Sequence, residues 1–256
     1  MSRYWHAMYL GAIGIVAAAL IWEKAEPPTP QAADQNALVN ASALSQLEIL
    51  RFQTALIQKT GNYGKLKWLG APIWQPVLDV WTLQETIFEV KPELIIECGT
   101  YKGGSSYFFA QLFDLIGHGR VITIDIEKLH DLSHPRVTYL IGDSVSDEIL
   151  EQVRAEVKKT RGPVMVILDS DHSKKHVSNE LESYHPFVTP GSYLHVQDGV
   201  IDVLPTFAQG RPGPLRAIEE FMGQNDLFEV DLARSDRFLI THHPAGWLRR
   251  KGQPAE

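Results

Sequence analysis

A short, largely apolar run, Leu94-Ile95-Ile96-Glu97-Cys98, ends at Gly99, and more runs of strand length follow it, separated by segments of helix length. The later runs lie at 121–126, 137–141, 164–168 and 193–196, rich in β-branched or aliphatic residues, while 105–115, 145–159 and 173–184 read as helices. Strands apolar on both faces must be covered on both faces, which parallel strands with helices on either side provide. The fold expected is therefore a doubly wound, Rossmann-like α/β sheet. Helices are also expected over 41–60 after a cap at Asn40 or Ser42, over 77–90 ending before Lys91-Pro92, and over 214–222. Strands at 227–230 and 237–241 are joined by too little chain for a parallel crossover, so an antiparallel strand is expected near the C-terminus.

Composition narrows the function classes. With 24 Lys+Arg against 31 Asp+Glu the net charge is −7, which excludes a basic nucleic-acid binder, and 44% hydrophobic content excludes a disordered chain. The single cysteine, Cys98, excludes an intrachain disulfide framework and a Cys-rich zinc site, and is expected to be a small buried strand residue. Residues 7–22 carry no charge, and extension back to Tyr4 gives 19 residues, enough to span a hydrocarbon core of about 30 Å. A single-pass membrane anchor is expected over 1–22, a solvated proline-containing linker over 23–36, and one folded domain over 37–256. A cleaved signal peptide is the rival reading of the first segment. The Arg249-Arg250-Lys251 run reads as a solvated tail.

In a doubly wound sheet, ligands lie at the carboxyl ends of the strands. The first such end, Glu97-Cys98-Gly99-Thr100-Tyr101-Lys102-Gly103-Gly104-Ser105, lacks both the Gly-Lys-Ser/Thr of a phosphate loop and the Gly-x-Gly-x-x-Gly of a dinucleotide site. An acid before a glycine turn suits the amino-acid end of S-adenosylmethionine. Asp125, ending the next strand, is placed for its ribose hydroxyls and Asp143 for its adenine. The fourth strand end carries Asp169, Asp171 and His172, and the fifth carries Gln197 and Asp198. Carboxylates from adjacent strand ends converge on a hard cation such as Mg2+, with Asp169 and Asp198 as the main pair, Gln197 giving a carbonyl oxygen and Asp171 a third carboxylate. His172 beside that ion is the expected general base toward a substrate hydroxyl.

The strings Trp68-Leu69-Gly70, Gln84-Glu85, Lys91 to Thr100, Gly103-Gly104-Ser105-Ser106 and Leu168-Asp169-Ser170-Asp171-His172-Ser173 resemble the cephalosporin hydroxylase / rhamnosyl O-methyltransferase family over 66 to about 222. The resemblance implies a class I methyltransferase fold, S-adenosylmethionine, a divalent cation and methyl transfer to oxygen on sugars, antibiotics or glycolipids. It places Glu97, Gly99, Thr100, Gly103, Ser105, Asp125 and Asp143 at the cofactor, Asp169, Asp171, Gln197 and Asp198 at the metal, and His172 as base. Related macrolide-sugar methyltransferases have an acidic pair 28 and 29 residues after the metal Asp; here those positions are Gln197 and Asp198, so one negative charge is missing. That departure keeps a non-catalytic, anchored reading open, and a nicotinamide-dependent oxidoreductase is disfavoured by the missing middle glycine. The expected partners are a small-molecule or lipid-linked glycan acceptor, the membrane, and a second copy through the N-terminal helices. The domain is expected to face the cytosol, where S-adenosylmethionine is made.

Overall fold

The computed structural model describes residues 45–60 and 62–252. The expected anchor (1–22), the linker (23–36) and the caps Asn40 and Ser42 lie outside the described residues. The chain enters through α1 (Gln46–Thr60), whose start is a reciprocal cap: Ser45 N donates to Glu48 Oε2 at 2.7 Å and Glu48 N to Ser45 Oγ at 3.3 Å. A small hairpin of β1 (Lys67–Trp68) and β2 (Ala71–Pro72) leads into α2 (Val77–Val90). The alternating part follows: β3 (Leu94–Cys98), α3 (Gly104–Ile116), β4 (Arg120–Asp125), β5 (Val137–Ile141), α4 (Asp147–Lys159), β6 (Val164–Leu168), α5 (Lys174–Tyr184) and β7 (Tyr193–Val196). Then come α6 (Pro214–Gln224), β8 (Phe228–Val230) and β9 (Trp247–Arg250).

The sheet order is β5-β4-β3-β6-β7-β9-β8, with the first five strands parallel. The chain starts in the middle at β3, runs outward to β5, returns to β6 and proceeds the other way, so the switch point lies between β3 and β6. Side-chain alternation explains why the central runs are apolar throughout. Leu94, Ile96 and Cys98 enter the core with Val166, Leu168, Leu181 and Ile218, while Ile95 and Ile167 enter the other with Leu83, Ile87, Phe109 and Phe113.

The C-terminal edge corrects the sequence reading. Residues 237–241 form no strand: Leu239 is exposed with φ 65°, and Arg237 pairs with Glu85 at 3.1 Å. The strand instead is β9, antiparallel to both β7 and β8, because Trp247 and Leu248 are both fully buried, one in each core. Two of the three residues of the basic run expected as a solvated tail thus lie in the strand; Arg249 is paired with Tyr193, and Arg250 Nη1 donates to Pro186 O at 3.1 Å.

The single-pass membrane placement is also corrected. Among the described residues no helix is long and apolar enough to cross a membrane. The longest, α1, has 15 residues, which at ~1.5 Å each falls short of a ~30 Å hydrocarbon core. The cytosol-facing, single-pass localisation expected from the sequence is overturned by that finding.

Phe113 is fully buried on the inner face of α3 and Leu115 is 85% exposed two positions later. Phe113→Ala is expected to cost about 3–5 kcal/mol in urea denaturation, and Leu115→Ala less than about 0.5 kcal/mol. Equal losses would contradict this packing.

Candidate active site

The glycine turn after β3 is dictated by a close approach. Gly99 has φ +99°, and a Cβ there would lie 2.0 Å from the Asp169 carbonyl oxygen, so no other residue fits beside the end of β6. Gly103, also left-handed, starts α3 with no side chain capping it, which leaves the helix N-terminus at the strand ends. Beneath the turn, Glu97 is 1% exposed; its Oε2 accepts from Thr123 Oγ1 at 2.6 Å, and Ser105 also donates to the carboxyl. Its Oε1 is buried without a protein partner. Burial pushes this carboxyl up to about 7, the nearby Asp125 charge adding to the effect and the two hydroxyl donors opposing it. Thr100 Oγ1 lies 2.6 Å from Thr123 Oγ1. Asp125, at the end of β4, accepts Tyr101 N at 2.7 Å, so it is fastened under the same turn. Asp143, exposed after β5, accepts Val145 N at 3.1 Å.

The second half of the site follows β6 and β7. Asp169, His172 and Asp198 place potential ligand atoms within 4.8 Å of one another. His172 Nε2 lies 3.2 Å from Asp198 Oδ2. Gln75 Nε2 donates to Asp169 Oδ2 at 2.8 Å and to Gln197 Oε1 at 2.5 Å, so both glutamine side chains are gathered at this carboxylate. Burial pushes the Asp169 carboxyl well above the ordinary range, and the facing Asp198 charge adds to it. Burial would raise Asp198 too, but its hydrogen bond with His242 and the imidazoles of His172 and His243 outweigh it and hold Asp198 low. One ionised and one destabilised carboxyl at this separation form an oxygen-rich set suited to a divalent cation, whose charge would let both ionise.

A family model described as Rhamnosyl O-methyltransferase/CmcI matches residues 61–251. The chain belongs to this family. The rhamnosyl O-methyltransferase of Mycobacterium tuberculosis (strain ATCC 25618 / H37Rv) is 35% identical over 202 residues, 73% of this chain and 81% of that protein. That of Mycobacterium leprae (strain TN) is 36% identical over 193 residues, 72% and 82% of the two. A solved structure of CmcI with Mg and SAM shares the fold, with a TM-score of 0.60 at 18% identity over 89% of each chain.

Within this rhamnosyl O-methyltransferase/CmcI fold the expected site residues divide. Glu97, Gly99, Thr100, Gly103, Ser105 and Asp125 come together around one turn; Asp169, His172 and Asp198 come together beside it. Asp171 stays apart, exposed, its Oδ1 accepting Ser173 N at 2.7 Å ahead of α5. Gln197 is buried where expected, its side-chain amide between Gln75 and Asp169, with Oε1 accepting from Gln75 Nε2 at 2.5 Å. Sequence reasoning missed Gln75, which arrives from the loop before α2, and His242 and His243, which arrive from beyond β8. The His242-His243 dipeptide was the one available signal for the latter pair.

The raised Glu97 carboxyl stabilises the fold while protonated; that contribution is full below its ordinary pKa of 4.5 and is lost as pH rises through about 7. Between pH 4.5 and 8, the parent is expected to lose stability relative to Glu97→Gln by on the order of 3 kcal/mol. Urea titrations across that window check it, and a pH-independent difference would contradict the assignment.

Proposed function

We propose that this chain transfers the methyl group of S-adenosylmethionine to a hydroxyl of a sugar-bearing small molecule, assisted by a divalent cation. The observation that carries the reading is the convergence of Asp169, His172 and Asp198 beside the Gly99 turn in a chain of this family. Glu97, Gly99, Thr100, Gly103, Ser105, Asp125 and Asp143 would hold the cofactor, and Asp169 and Asp198 the cation, with Gln75 bracing both Asp169 and Gln197. The buried, unpartnered Glu97 Oε1 and the oxygen-rich carboxylate pair are the features that fit these two groups. Bound together, they supply an electrophilic methyl group and a Lewis acid that acidifies the acceptor hydroxyl.

The chain's own contribution is proton handling and placement. His172, whose Nε2 faces Asp198 Oδ2 at 3.2 Å and so carries the ring proton, would take the hydroxyl proton on its other ring nitrogen as the new O–C bond forms, with the S–C bond breaking and its electron pair staying on sulfur. A cleft of about 810 Å³ opens at His172, with Ser178, Asn179 and Gln209 offering hydroxyl and amide groups to an acceptor. Its walls are held in place: Lys174 pairs with Glu220, and the Arg211 guanidinium donates to Ile201 O and Leu204 O, each at 2.8 Å. The non-catalytic reading that Gln197 left open is disfavoured, because two carboxylates and the imidazole still converge without an acid at that position.

Radiolabelled methyl transfer onto a panel of rhamnosyl and other glycosyl acceptors, with and without Mg2+, tests this reading. His172→Ala is expected to lower kcat by about 10²–10⁴-fold while S-adenosylhomocysteine binds as in the parent. Asp125→Ala is expected to weaken that binding in a calorimetric titration without unfolding the protein. Full turnover by His172→Ala, or no cofactor binding by the folded parent, would contradict the proposal.

A further inference from the structure

The segment that carries Asp198 is fastened to residues 242–246 at alternate positions. Val196 N donates to Gly246 O at 2.8 Å, Asp198 N to His243 Nδ1 at 2.9 Å, and Val200 N to His242 O at 3.0 Å. The two outer bonds are backbone bonds such as a sheet ladder supplies, but in the middle one an imidazole nitrogen stands in for a carbonyl. That middle residue is Asp198, whose φ of 56° is a left-handed conformation that a residue with a Cβ keeps only when its surroundings impose it. The approach is tight on both sides. A Cβ on Gly246 would lie 2.1 Å from Val196 O, and one on Gly199 would lie 3.1 Å from Pro244 O.

The His243 ring is itself held. Its backbone N donates to Thr241 Oγ1 at 2.9 Å, and that hydroxyl donates to Asp79 Oδ1 at 2.6 Å. Asp79 Oδ2 accepts His242 N at 3.0 Å and faces His243 Nε2 at 3.8 Å. Asp79 lies in the first turn of α2, and both it and His243 are buried. Because Nδ1 accepts the Asp198 amide hydrogen, the ring proton of neutral His243 sits on Nε2, the edge toward Asp79.

We infer that Asp79, Thr241 and His243 form a clamp that fixes the backbone of Asp198 and so presents its carboxylate to the cation and to His172 in one orientation. They are positioning residues, acting through Asp198. The inference rests on the metal site proposed above. A side chain serves here where a carbonyl would not, because an imidazole that accepts from Asp198 on one edge and faces a buried carboxylate on the other couples the strand end to the first turn of α2.

The test is Mn2+ binding to the full chain, followed by the spin-resonance signal of the free ion, with cofactor-product affinity measured separately without metal. His243→Ala removes the acceptor, His243→Asn keeps an acceptor oxygen near the Nδ1 position, and Thr241→Val removes the bridging hydroxyl while keeping its volume. His243→Ala is expected to weaken Mn2+ by about tenfold or more and Thr241→Val by less, with His243→Asn staying within about threefold of the parent. S-adenosylhomocysteine affinity should be unchanged in all three, and the ¹⁵N spectrum of the parent should show His243 as the Nε2–H tautomer. Folded His243→Ala and Thr241→Val proteins that bind Mn2+ like the parent would overturn the clamp, as would an Asn variant as impaired as the Ala variant. If His243→Ala does not fold, Thr241→Val decides the matter. A parent that binds S-adenosylhomocysteine but no Mn2+ overturns the metal site itself, and the clamp with it, a result distinct from variants that match a competent parent.

Discussion

The site depends on the contact between Gly99 and the backbone of Asp169. Parallel pairing of β3 with β6 continues past both strands, with Asp169 N donating to Cys98 O at 2.8 Å, and brings the Asp169 carbonyl to where a Gly99 Cβ would be. Without a side chain at 99, the loop that turns into α3 and the loop that turns into α5 lie against each other at the switch point of the sheet. A cofactor held by the first loop and a cation held by the second are then neighbours by construction, and methyl transfer needs that adjacency more than it needs any single hydrogen bond.

The same adjacency gathers negative charge. Glu97, Asp169 and Asp198 sit at successive ends of central strands, and each is desolvated. They are relieved in different ways. Glu97, pushed up to about 7, is divided between its neutral and ionised forms near neutral pH beneath two hydroxyl donors, and Asp198 is ionised among imidazoles. Asp169 has an amide donor from Gln75 and is left strained as an anion. A divalent cation answers that imbalance where a second fixed acid at 197 would deepen it in the absence of metal. On this view, the glutamine makes the metal-free protein easier to fold, at some cost in attraction for the ion.

Much of this was legible in the residues, for physical reasons that also mark where legibility ends. Runs such as 94–98 and 164–168 stand out because both faces of a central strand are buried, and strand ends in such a sheet are where ligands sit, so Glu97, Asp125, Asp169 and Asp198 could be placed by topology alone. The C-terminal edge resisted. Residues 237–241 and 247–250 are about equally suited to a strand, and only pairing with β7, through Trp247 and Leu248 entering opposite cores, selects the latter. Gln75, Asp79 and His243 were out of reach because they approach from loops and a helix start outside the alternating pattern, where tertiary packing alone fixes the register. Asp171 shows the converse. It shares the specific string with Asp169 and His172, yet the turn into α5 uses it for the Ser173 amide.

The central claim is that cofactor and cation occupy one continuous site at the ends of β3, β4, β6 and β7. Anomalous scattering from Mn2+ in crystals grown with S-adenosylhomocysteine tests it most directly. The account predicts a peak about 2.0–2.6 Å from carboxylate oxygens of both Asp169 and Asp198, with the homocysteine moiety over the Gly99–Gly103 turn beside it. Cofactor product bound at that turn with Mn2+ located elsewhere, or with no peak between the two carboxylates, would contradict it.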